Sequence, residues 1–293
     1  MSAQDSETKM PKVALIGFGE AGETFARAAK WEGAKGWDIL PERRVAMTKS
    51  GLTLGEDCGE VLATADVILS LVTADQALDA AREYAPYLPQ EAMWLDMNSV
   101  APQTKAMAAE AIEAVNVRYV DVAIMAPVDV GLSVPLLVAG NKADDAVEKL
   151  TALGFTDVRA VGSTVGRASA IKLCRSIMVK GVEALTAEMV LASSQAGVLD
   201  EVLASLDASM KEQSWAERAD YNLDRMLKHG GRRAAEMYEA AEMLRAMGTS
   251  AAMSDQTVAW HAQLGGLDMT EPPETLSAKL DAIRATPDFK GEN

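Results

Sequence analysis

The chain has 293 residues, of which 49% are hydrophobic and 5% aromatic, and its formal net charge is −15. This length allows two domains of ordinary size, and the apolar content allows a sizeable core. An acidic chain lacks the basic face that nucleic acids or anionic membranes require, so we expect neither partner and predict that the protein acts on small molecules.

The sequence shows no sign of a membrane span, a zinc site or a secretion signal. No run of about 18 apolar residues occurs, which is the length that a spanning helix needs. The two cysteines, Cys58 and Cys174, lie far apart, and the two histidines, His229 and His261, lack partners at zinc-site spacing. Residues 1–12 are polar and lack the apolar segment of a signal peptide. We therefore expect a cytoplasmic protein with reduced thiols and no metal.

The first half of the chain alternates between predicted strands and predicted helices. Short apolar runs predict strands at residues 12–16, 36–40, 66–72, 93–97, 118–125, 134–139 and 157–161. Amphipathic stretches predict helices at residues 20–33, 74–87, 102–114 and 142–153. This alternation predicts an α/β domain of Rossmann type with a doubly wound parallel sheet.

The second half of the chain is predicted to be helical throughout. Helical periodicity covers residues 166–196, 198–210, 215–226, 231–247 and 251–264, and a last short helix follows Pro272 and Pro273. No strand is predicted after Val161. We therefore place one boundary near residue 164, which gives an α/β domain at residues 1–164 and an all-α C-terminal domain at residues 165–293.

Residues 13–22 read VALIGFGEAG and match the G-x-G-x-x-G fingerprint of dinucleotide-binding domains. In this pattern the first glycine allows a tight turn, the second lets a pyrophosphate approach the backbone, and the third lets the helix pack closely. Gly17, Gly19 and Gly22 follow the first predicted strand and open the first predicted helix, whose N-terminus favours phosphate. The candidate cofactor-binding residues of this loop are Gly17, Phe18, Gly19, Glu20, Ala21 and Gly22.

The choice between NAD and NADP depends on the residues that follow the second predicted strand. Asp38 lies 21 residues after Gly17, where an acidic residue hydrogen-bonds the ribose hydroxyls of NAD. Arg43 and Arg44 follow closely and could instead bind the 2′-phosphate of NADP, or they could be surface charges. We expect NAD or NADP as the cofactor, with NAD slightly favoured.

A second candidate group lies at the start of the long predicted helix. Lys172 and Ser176 are four residues apart and therefore share one helix face. A lysine beside a cofactor cleft can exchange a proton with a reacting hydroxyl or carbonyl. Periodicity alone favours the alternative, a lysine that extends from the helix into solvent. Cys174 lies about 200° around the helix from Lys172 and is expected to be buried.

The order and spacing of several motifs resemble the β-hydroxyacid dehydrogenase superfamily, which includes 6-phosphogluconate dehydrogenase and 3-hydroxyisobutyrate dehydrogenase. These motifs are IGFGEAG, ADVILSLV, LDMNSV, PLLVAG, KLCRSIMVKGVEAL and HGGRRAAEM. The C-terminal part resembles the phosphogluconate dehydrogenase-like domain called DUF1932. The resemblance covers nearly the whole chain and implies a Rossmann-type domain followed by a helical domain that forms much of a homodimer.

The resemblance also implies roles for particular residues. Lys172 occupies the position of the lysine that transfers the substrate's hydroxyl proton while hydride moves to or from the nicotinamide. Asn98 and Ser99 match a polar pair beside the nicotinamide, in contact with cofactor and substrate. Val72 and Thr73 match the loop that runs past the cofactor.

Two positions depart from the pattern of the family. Asp129 stands where relatives carry a serine that holds a substrate carboxylate, and Ser176 stands where they usually carry a substrate-contacting asparagine. A carboxylate at position 129 would repel a carboxylate substrate unless a cation intervened. Both positions are candidate substrate-binding residues, and they suggest that the substrate is not a simple β-hydroxy acid. The alternative is that Asp129 faces solvent on a remodelled loop.

Residues 229–233 read HGGRR and precede a predicted helix. Arg232 and Arg233 could grip a phosphate or a carboxylate through paired hydrogen bonds, and Arg232 is a candidate substrate-binding residue. The alternative is that these arginines and His229 are surface charges at the start of a helix, where the helix dipole disfavours cations.

The sequence thus predicts an NAD(P)-dependent oxidoreductase that acts on the CH–OH group of a small polar substrate, with Lys172 as the general acid or base. Decarboxylation would follow oxidation if the substrate were a β-hydroxy acid. Imine reductases share this architecture but usually carry another residue in place of the lysine, so imine reduction is the first alternative. A nicotinamide-binding protein without catalysis is the second.

Overall fold

The computed structural model describes residues 10–210 and 212–287. The chain divides into two compact units, Met1–Ile177 and Met178–Asn293, and the division falls within one long helix. The predicted domain boundary near residue 164 lies before this division and stays a prediction. Residues 1–9, which make up most of the predicted polar leader, lie outside the described residues.

The strands of the first unit form one eight-stranded sheet. The strands are β1 (Val13–Ile16), β2 (Lys35–Trp37), β3 (Thr53–Leu54), β4 (Val67–Ser70), β5 (Met93–Asp96), β6 (Arg118–Ile124), β7 (Leu136–Ala139) and β8 (Val158–Ala160). Their order in the sheet is β3-β2-β1-β4-β5-β6-β7-β8, and every neighbouring pair is parallel except β6 and β7. The prediction of a doubly wound Rossmann-type sheet is therefore confirmed.

Helices connect these strands. They are α1 (Glu20–Ala29), α2 (Pro41–Lys49), α3 (Cys58–Leu62), α4 (Ala77–Tyr84), α5 (Pro102–Glu113), α6 (Ala143–Ala152) and the start of α7 (Arg167–Ala196). Short 3₁₀ segments lie at Ala74–Gln76, Ala85–Tyr87 and Val128–Ser133.

Both faces of the sheet are covered by helices. Successive side chains of a strand point to opposite faces, so Leu15 packs in one core with Phe25 of α1 and Leu150 of α6. Its neighbour Ile16 packs in the other core, which also holds side chains of α3, α4 and α5 such as Ile112. Burial on both sides explains why the central strands read as continuous apolar runs in the sequence.

Three elements between β2 and β4 have no counterpart in the sequence prediction. Helix α2 reads PERRVAMTK and buries only Met47, β3 has two residues, and α3 has five. These elements are too polar or too short to show hydrophobic periodicity. The antiparallel pairing of β7 was likewise not predicted, because a buried strand carries no signal of its direction.

The second unit contains the later part of α7 together with α8 (Leu199–Ser209), α9 (Trp215–Ala246), α10 (Ala252–Gly265) and α11 (Leu276–Ala285). The described residues after Val161 form no strand, as predicted. The helices predicted at residues 215–226 and 231–247 are one helix, α9, with a kink at His229, where φ is −131° and ψ is 15°. No helix among the described residues is both long and apolar enough to cross a membrane.

Helices α9 and α10 pack closely where two glycines face each other. A Cβ atom added to Gly230 would lie 2.5 Å from Cα of Gly265, and one added to Gly265 would lie 2.7 Å from Cα of Gly230. Glu188 of α7 fixes the start of α10, because its carboxylate accepts hydrogen bonds from the backbone N–H groups of Met253 and Ser254 at 2.8 and 2.9 Å.

Candidate active site

A cavity of about 410 Å³ opens at the carboxyl end of β1. The sheet order reverses here, since β2 lies on one side of β1 and β4 on the other, and ligands of doubly wound sheets bind at such a point. Eight of the predicted cofactor-binding residues line the cavity, namely Gly17, Phe18, Gly19, Glu20, Ala21, Asp38, Val72 and Thr73. The structure thus brings together residues that are up to 56 positions apart in the chain.

The three fingerprint glycines meet three different environments. Gly17 has φ of +87°, and a Cβ atom there would lie 2.6 Å from the carbonyl oxygen of Leu71, so neither the turn nor its contact with β4 tolerates a side chain. A Cβ atom on Gly22 would lie 2.8 Å from the carbonyl oxygen of Gly17, which shows how closely α1 packs on the loop. At Gly19 a Cβ atom would meet no atom within 4 Å from the described residues beyond its immediate chain neighbours. This open space at the N-terminus of α1 fits the close approach of a pyrophosphate.

Asp38 lies just after β2 and holds the fingerprint loop in place. Its Oδ2 accepts a hydrogen bond from the backbone N–H of Phe18 at 2.7 Å, and its Oδ1 accepts one from the N–H of Leu40 at 2.9 Å. A carboxylate oxygen can accept further bonds, so Asp38 can still bind a ribose hydroxyl at the cavity edge.

The charged side chains that line the cavity are mainly acidic. Four carboxylates, those of Glu20, Asp38, Asp79 and Glu83, line it together with one guanidinium group, that of Arg43. Arg44 does not line the cavity. Its guanidinium lies 4.1 Å from the ring centroid of Trp37, and its Nε donates to the carbonyl oxygen of Asp38 at 2.5 Å. Burial raises the pKa of Tyr84 in the cavity wall to about 12, so its hydroxyl stays protonated at neutral pH.

Lys172 of α7 contacts Ser99 at the carboxyl end of β5. Its Nζ donates a hydrogen bond to Ser99 Oγ at 2.5 Å. Ser99 is exposed and Lys172 half-buried, so a ligand can reach both. Strand β5 is two strands from β1 in the sheet, so the carboxyl ends of the two parallel strands lie roughly 10 Å apart. A basic and a hydroxyl group beside a cofactor cavity can move a proton to or from a bound alcohol or carbonyl.

Asn98 directly precedes Ser99 and does not line the cavity, and one of its side-chain atoms has no hydrogen-bond partner among the described residues. Its side-chain amide donates to Ser70 Oγ at 3.0 Å and to Asp96 Oδ1 at 2.8 Å, and the carboxylate partner fixes which side-chain atom is nitrogen. Its Oδ1 is buried and accepts no hydrogen bond from the described residues. Such an orphaned acceptor fits a ligand that donates a hydrogen bond, as a nicotinamide carboxamide or a substrate hydroxyl does.

The remaining predicted substrate-binding residues are less involved. Ser176 is partly exposed one turn after Lys172. Asp129 is exposed in the 3₁₀ segment Val128–Ser133 and forms no hydrogen bond or ion pair within the described residues, which favours the remodelled-loop interpretation. Arg232 lies in the second unit, where it is exposed and paired with Glu236 of the same helix.

The prediction that Cys174 is buried is wrong, because its side chain is exposed. The face of α7 opposite Lys172 is therefore not covered by the core of the first unit at this point. Helical periodicity located the helix correctly, but it did not show how much of each face is covered.

Sequence reasoning missed a buried polar group beneath the Lys172–Ser99 pair. Its charged members, Asp96, Lys105 and Asp121, are fully buried. The sequence carries a signal for two of them, because Asp96 in MWLDM and Asp121 in RYVDVAI interrupt apolar strand runs. A charged residue inside a strand that is buried on both faces requires a buried partner.

Two family models match this chain. Residues 12–153 match the NAD binding domain of 6-phosphogluconate dehydrogenase, and residues 194–264 match DUF1932, a domain of unknown function. Together the two matches include the fingerprint loop, Asp38 and Ser99.

Three solved structures illustrate the likeness. A conserved hypothetical protein from Sinorhizobium meliloti 1021 is 35% identical, with 94% of this chain and 96% of that chain covered and a TM-score of 0.59. A conserved protein of unknown function, described as similar to 3-hydroxyacid dehydrogenases, is 28% identical over 92% of this chain and 99% of its own, with a TM-score of 0.58. An imine reductase variant from Myxococcus stipitatus in complex with NAD⁺ has a TM-score of 0.73 over 93% and 98% of the two chains. It is 17% identical, which shows a shared fold alone.

Proposed function

The chain belongs to the β-hydroxyacid dehydrogenase superfamily, and from this premise we propose that it transfers hydride between a nicotinamide cofactor and the hydroxyl or carbonyl carbon of a small polar substrate. Lys172 acts as the general acid or base. The observation that carries the proposal is the 2.5 Å hydrogen bond between Lys172 Nζ and Ser99 Oγ beside the cofactor cavity.

Separate groups of the protein would bind the cofactor and transfer the proton. The fingerprint loop and the N-terminus of α1 hold the pyrophosphate, and Asp38 binds the ribose. The nicotinamide, when bound, supplies or accepts the hydride. Lys172 exchanges a proton with the substrate oxygen, and Ser99 holds the Lys172 side chain in place by accepting its hydrogen bond. Asn98 Oδ1 accepts a hydrogen bond from the bound ligand.

The charges of the cavity support NAD over NADP. A 2′-phosphate brings about two negative charges to a wall where the described residues place four carboxylates and one cation, Arg43. The ribose hydroxyls of NAD bring no charge and can donate to Asp38. The proposed cofactor is therefore NAD, with Arg43 as the residue that would favour NADP.

The substrate is proposed to be a small polar alcohol or carbonyl compound. Exposed Asp129 replaces the serine by which the family holds a carboxylate, and partly exposed Ser176 replaces a substrate-contacting asparagine, so a substrate carboxylate would have to be held elsewhere. If the substrate is nevertheless a β-hydroxy acid, its oxidation gives a β-keto acid, which loses CO₂ readily.

We also propose that the protein is a homodimer. In the second unit, a shallow groove is lined by five apolar side chains, those of Met178, Val182, Leu185, Met210 and Trp215, each more than a third exposed. Polar side chains such as Glu217 and Asn222 line the same groove, and a group of exposed apolar side chains with polar neighbours is typical of an interface between chains.

The experiment that tests the function is a paired titration followed by a substrate screen. NADH and NADPH are titrated against the purified protein, and alcohols and hydroxy acids are then screened for reduction of the preferred cofactor. We expect tighter binding of NADH and a fall in kcat of about 100-fold or more for Lys172→Met, because general acid–base catalysis contributes about that much. Lys180→Met, which changes an exposed lysine on the same helix, is the matched control.

The other outcomes separate the alternatives. Reduction of imines without oxidation of alcohols would support an imine reductase, whose fold this chain shares. Binding of a cofactor without turnover of any alcohol, carbonyl compound or imine would support a nicotinamide-binding protein that does no chemistry. Tighter binding of NADPH that is lost in Arg43→Ala would refute the NAD assignment. If neither cofactor binds, the proposed function is wrong.

A further inference from the structure

A polar cluster is buried beneath the Lys172–Ser99 pair in the first unit. Its members are Ser70, Asp96, Asn98, Lys105, Tyr119, Asp121 and Ser169, each less than 5% exposed. The exposure of Asp96, Lys105 and Asp121 is 0%. Burial of three charges costs desolvation energy that well-packed apolar residues would avoid, so the cluster is weak evidence for stability and points instead to a role in geometry.

Lys105 of α5 joins the two aspartates of this cluster. Its Nζ donates to Asp96 Oδ1 at 2.8 Å and to the carbonyl oxygen of Asp96 at 2.6 Å, and it lies 3.4 Å from Asp121 Oδ1. Asp96 is the last residue of β5, and Asp121 pairs with it across the sheet from β6. One ammonium group therefore links carboxylates on adjacent strands.

The Asp96 carboxylate fixes the turn that carries Ser99. Its Oδ1 accepts hydrogen bonds from the backbone N–H of Asn98 at 3.0 Å and from the Asn98 side-chain amide at 2.8 Å. Its Oδ2 accepts the Tyr119 hydroxyl at 2.6 Å, and burial, together with the nearby charge of Asp96, raises the pKa of Tyr119 so that this hydroxyl remains a donor. Ser99 directly follows the residue that these bonds immobilise.

The Asp121 carboxylate fixes the start of the helix that carries Lys172. Its Oδ2 accepts the backbone N–H of Ser169 at 3.1 Å, and its Oδ1 accepts the Ser169 hydroxyl at 2.6 Å. Ser169 lies in the first turn of α7, three residues before Lys172, and a carboxylate at a helix N-terminus is favourable. The contact sets the position of the turn from which Lys172 extends.

We propose that Lys105 is a positioning residue that sets the distance between Lys172 and Ser99. It joins the carboxylate that holds the Ser99 turn to the carboxylate that holds the Lys172 helix. Because it is fully buried, it acts through these residues and does not touch substrate. The inference rests on the proposed function, in which Lys172 and Ser99 handle the proton.

The test measures the reactivity of the Lys172 amine, and this measurement requires no substrate. Acetic anhydride modifies only the unprotonated amine, so the extent of Lys172 acetylation against pH, measured by mass spectrometry of the peptide, gives a midpoint. Ser99→Ala provides the reference midpoint for a Lys172 that has lost this partner. The double variant Lys105→Met/Asp121→Asn removes the link between the two strands. It removes one positive and one negative charge, so the net charge of the cluster is conserved.

Lys279→Met is the matched control, because Lys279 is also a buried lysine, 2% exposed and 2.8 Å from an Asp220 carboxylate oxygen, but it lies in the second unit. We expect the double variant to shift the Lys172 midpoint toward that of Ser99→Ala by at least half of the full difference. Lys279→Met should keep the wild-type midpoint. With a substrate in hand, kcat of the double variant should fall while the Kd for NADH is unchanged.

Ser169→Ala decides the matter if circular dichroism shows that the double variant does not fold, because it removes only one hydrogen bond of the cluster. It should shift the midpoint in the same direction. The proposal is overturned if the folded double variant keeps the wild-type midpoint. If the double variant is unfolded, a wild-type midpoint in Ser169→Ala overturns it. So does a wild-type midpoint in Ser99→Ala, since the pair is then not formed in solution. A lack of turnover by the wild-type protein would contradict the proposed function and leave the labelling result intact.

Discussion

At the scale of single residues, the glycines of the fingerprint loop have separable roles. Gly17 and Gly22 are required by neighbouring backbone atoms of the protein itself, whereas a Cβ atom on Gly19 would meet no described residue within 4 Å other than its chain neighbours. A sequence motif does not distinguish these cases, because all three positions read as glycine. The structure therefore identifies the one position at which a methyl group would report on the cofactor and not on the fold.

We expect Gly19→Ala to weaken NADH binding by about tenfold or more, which is about 1.4 kcal/mol, with little change in the thermal unfolding midpoint. The added methyl would occupy the space that a pyrophosphate needs. Gly17→Ala should instead lower the unfolding midpoint, because a positive φ costs an alanine about 1 kcal/mol or more and its Cβ would collide with Leu71. Fluorescence titration and calorimetry measure the two effects. Wild-type affinity in Gly19→Ala would contradict cofactor binding at this loop.

The two cysteines should differ strongly in reactivity. Burial, followed by the charges of Glu83 and Asp57, raises the pKa of Cys58 to about 12, whereas Cys174 is exposed. Because only the thiolate reacts, a disulfide reagent such as dithionitrobenzoate should modify one thiol in the native protein and the second only after unfolding. The native reaction should disappear in Cys174→Ser. Rapid modification of two thiols in the native protein would show that Cys58 is accessible.

At the scale of elements, the contact between α9 and α10 depends on glycine. Gly230 follows the kink at His229 and faces α10, where its Cβ would lie 2.4 Å from the carbonyl oxygen of His261. A Cβ atom on the next residue, Gly231, would meet no atom within 4 Å from the described part of the chain outside its own helix turn. The sequence HGGRR therefore includes one glycine that close packing requires and one that it does not.

Gly230→Ala should destabilise the second unit by about 1–3 kcal/mol or more, because rigid backbone would have to move apart. Gly231→Ala, the adjacent control, should leave stability unchanged or raise it by about 0.5–1 kcal/mol, since alanine favours a helix interior. Chemical denaturation followed by circular dichroism compares the two. Equal effects of both substitutions would show that the helices do not pack at Gly230.

At the scale of the whole molecule, the exposed apolar side chains of the second unit are the main feature that a single chain leaves unexplained. Met178, Val182 and Leu185 lie on one face of α7, and each is 46–48% exposed. Covering such a surface with a second copy of the chain would remove its apolar side chains from water.

We expect sedimentation to give a mass of twice the 31.1 kDa of one chain. Val182→Asp should shift this equilibrium to monomer, because a carboxylate would be buried without a partner in the interface. Met107→Asp is the control, since Met107 is 41% exposed on α5 in the first unit. A wild-type protein that sediments as a monomer, or a Val182→Asp protein that stays dimeric, would argue against this interface.

Sequence patterns alone were enough to predict the Rossmann-type sheet, the helical second half, the fingerprint loop and Asp38. These follow from local signals, namely hydrophobic periodicity and glycine spacing, which act over a few residues. Lys172 was singled out by its place in a family pattern, while periodicity alone favoured a solvated lysine. The positions of α2 and β3 were missed because their residues carry little periodicity.

Contacts between residues far apart in the chain became known from the folded structure and not from the sequence. The contact of Lys172 with Ser99 spans 73 positions, and the contact of Ser169 with Asp121 spans 48. Such contacts depend on the order of strands in the sheet and on the register of neighbouring strands, and no local pattern encodes either of them. The same reason explains why the antiparallel β7, the exposure of Cys174 and the link through Lys105 became visible only in the folded chain.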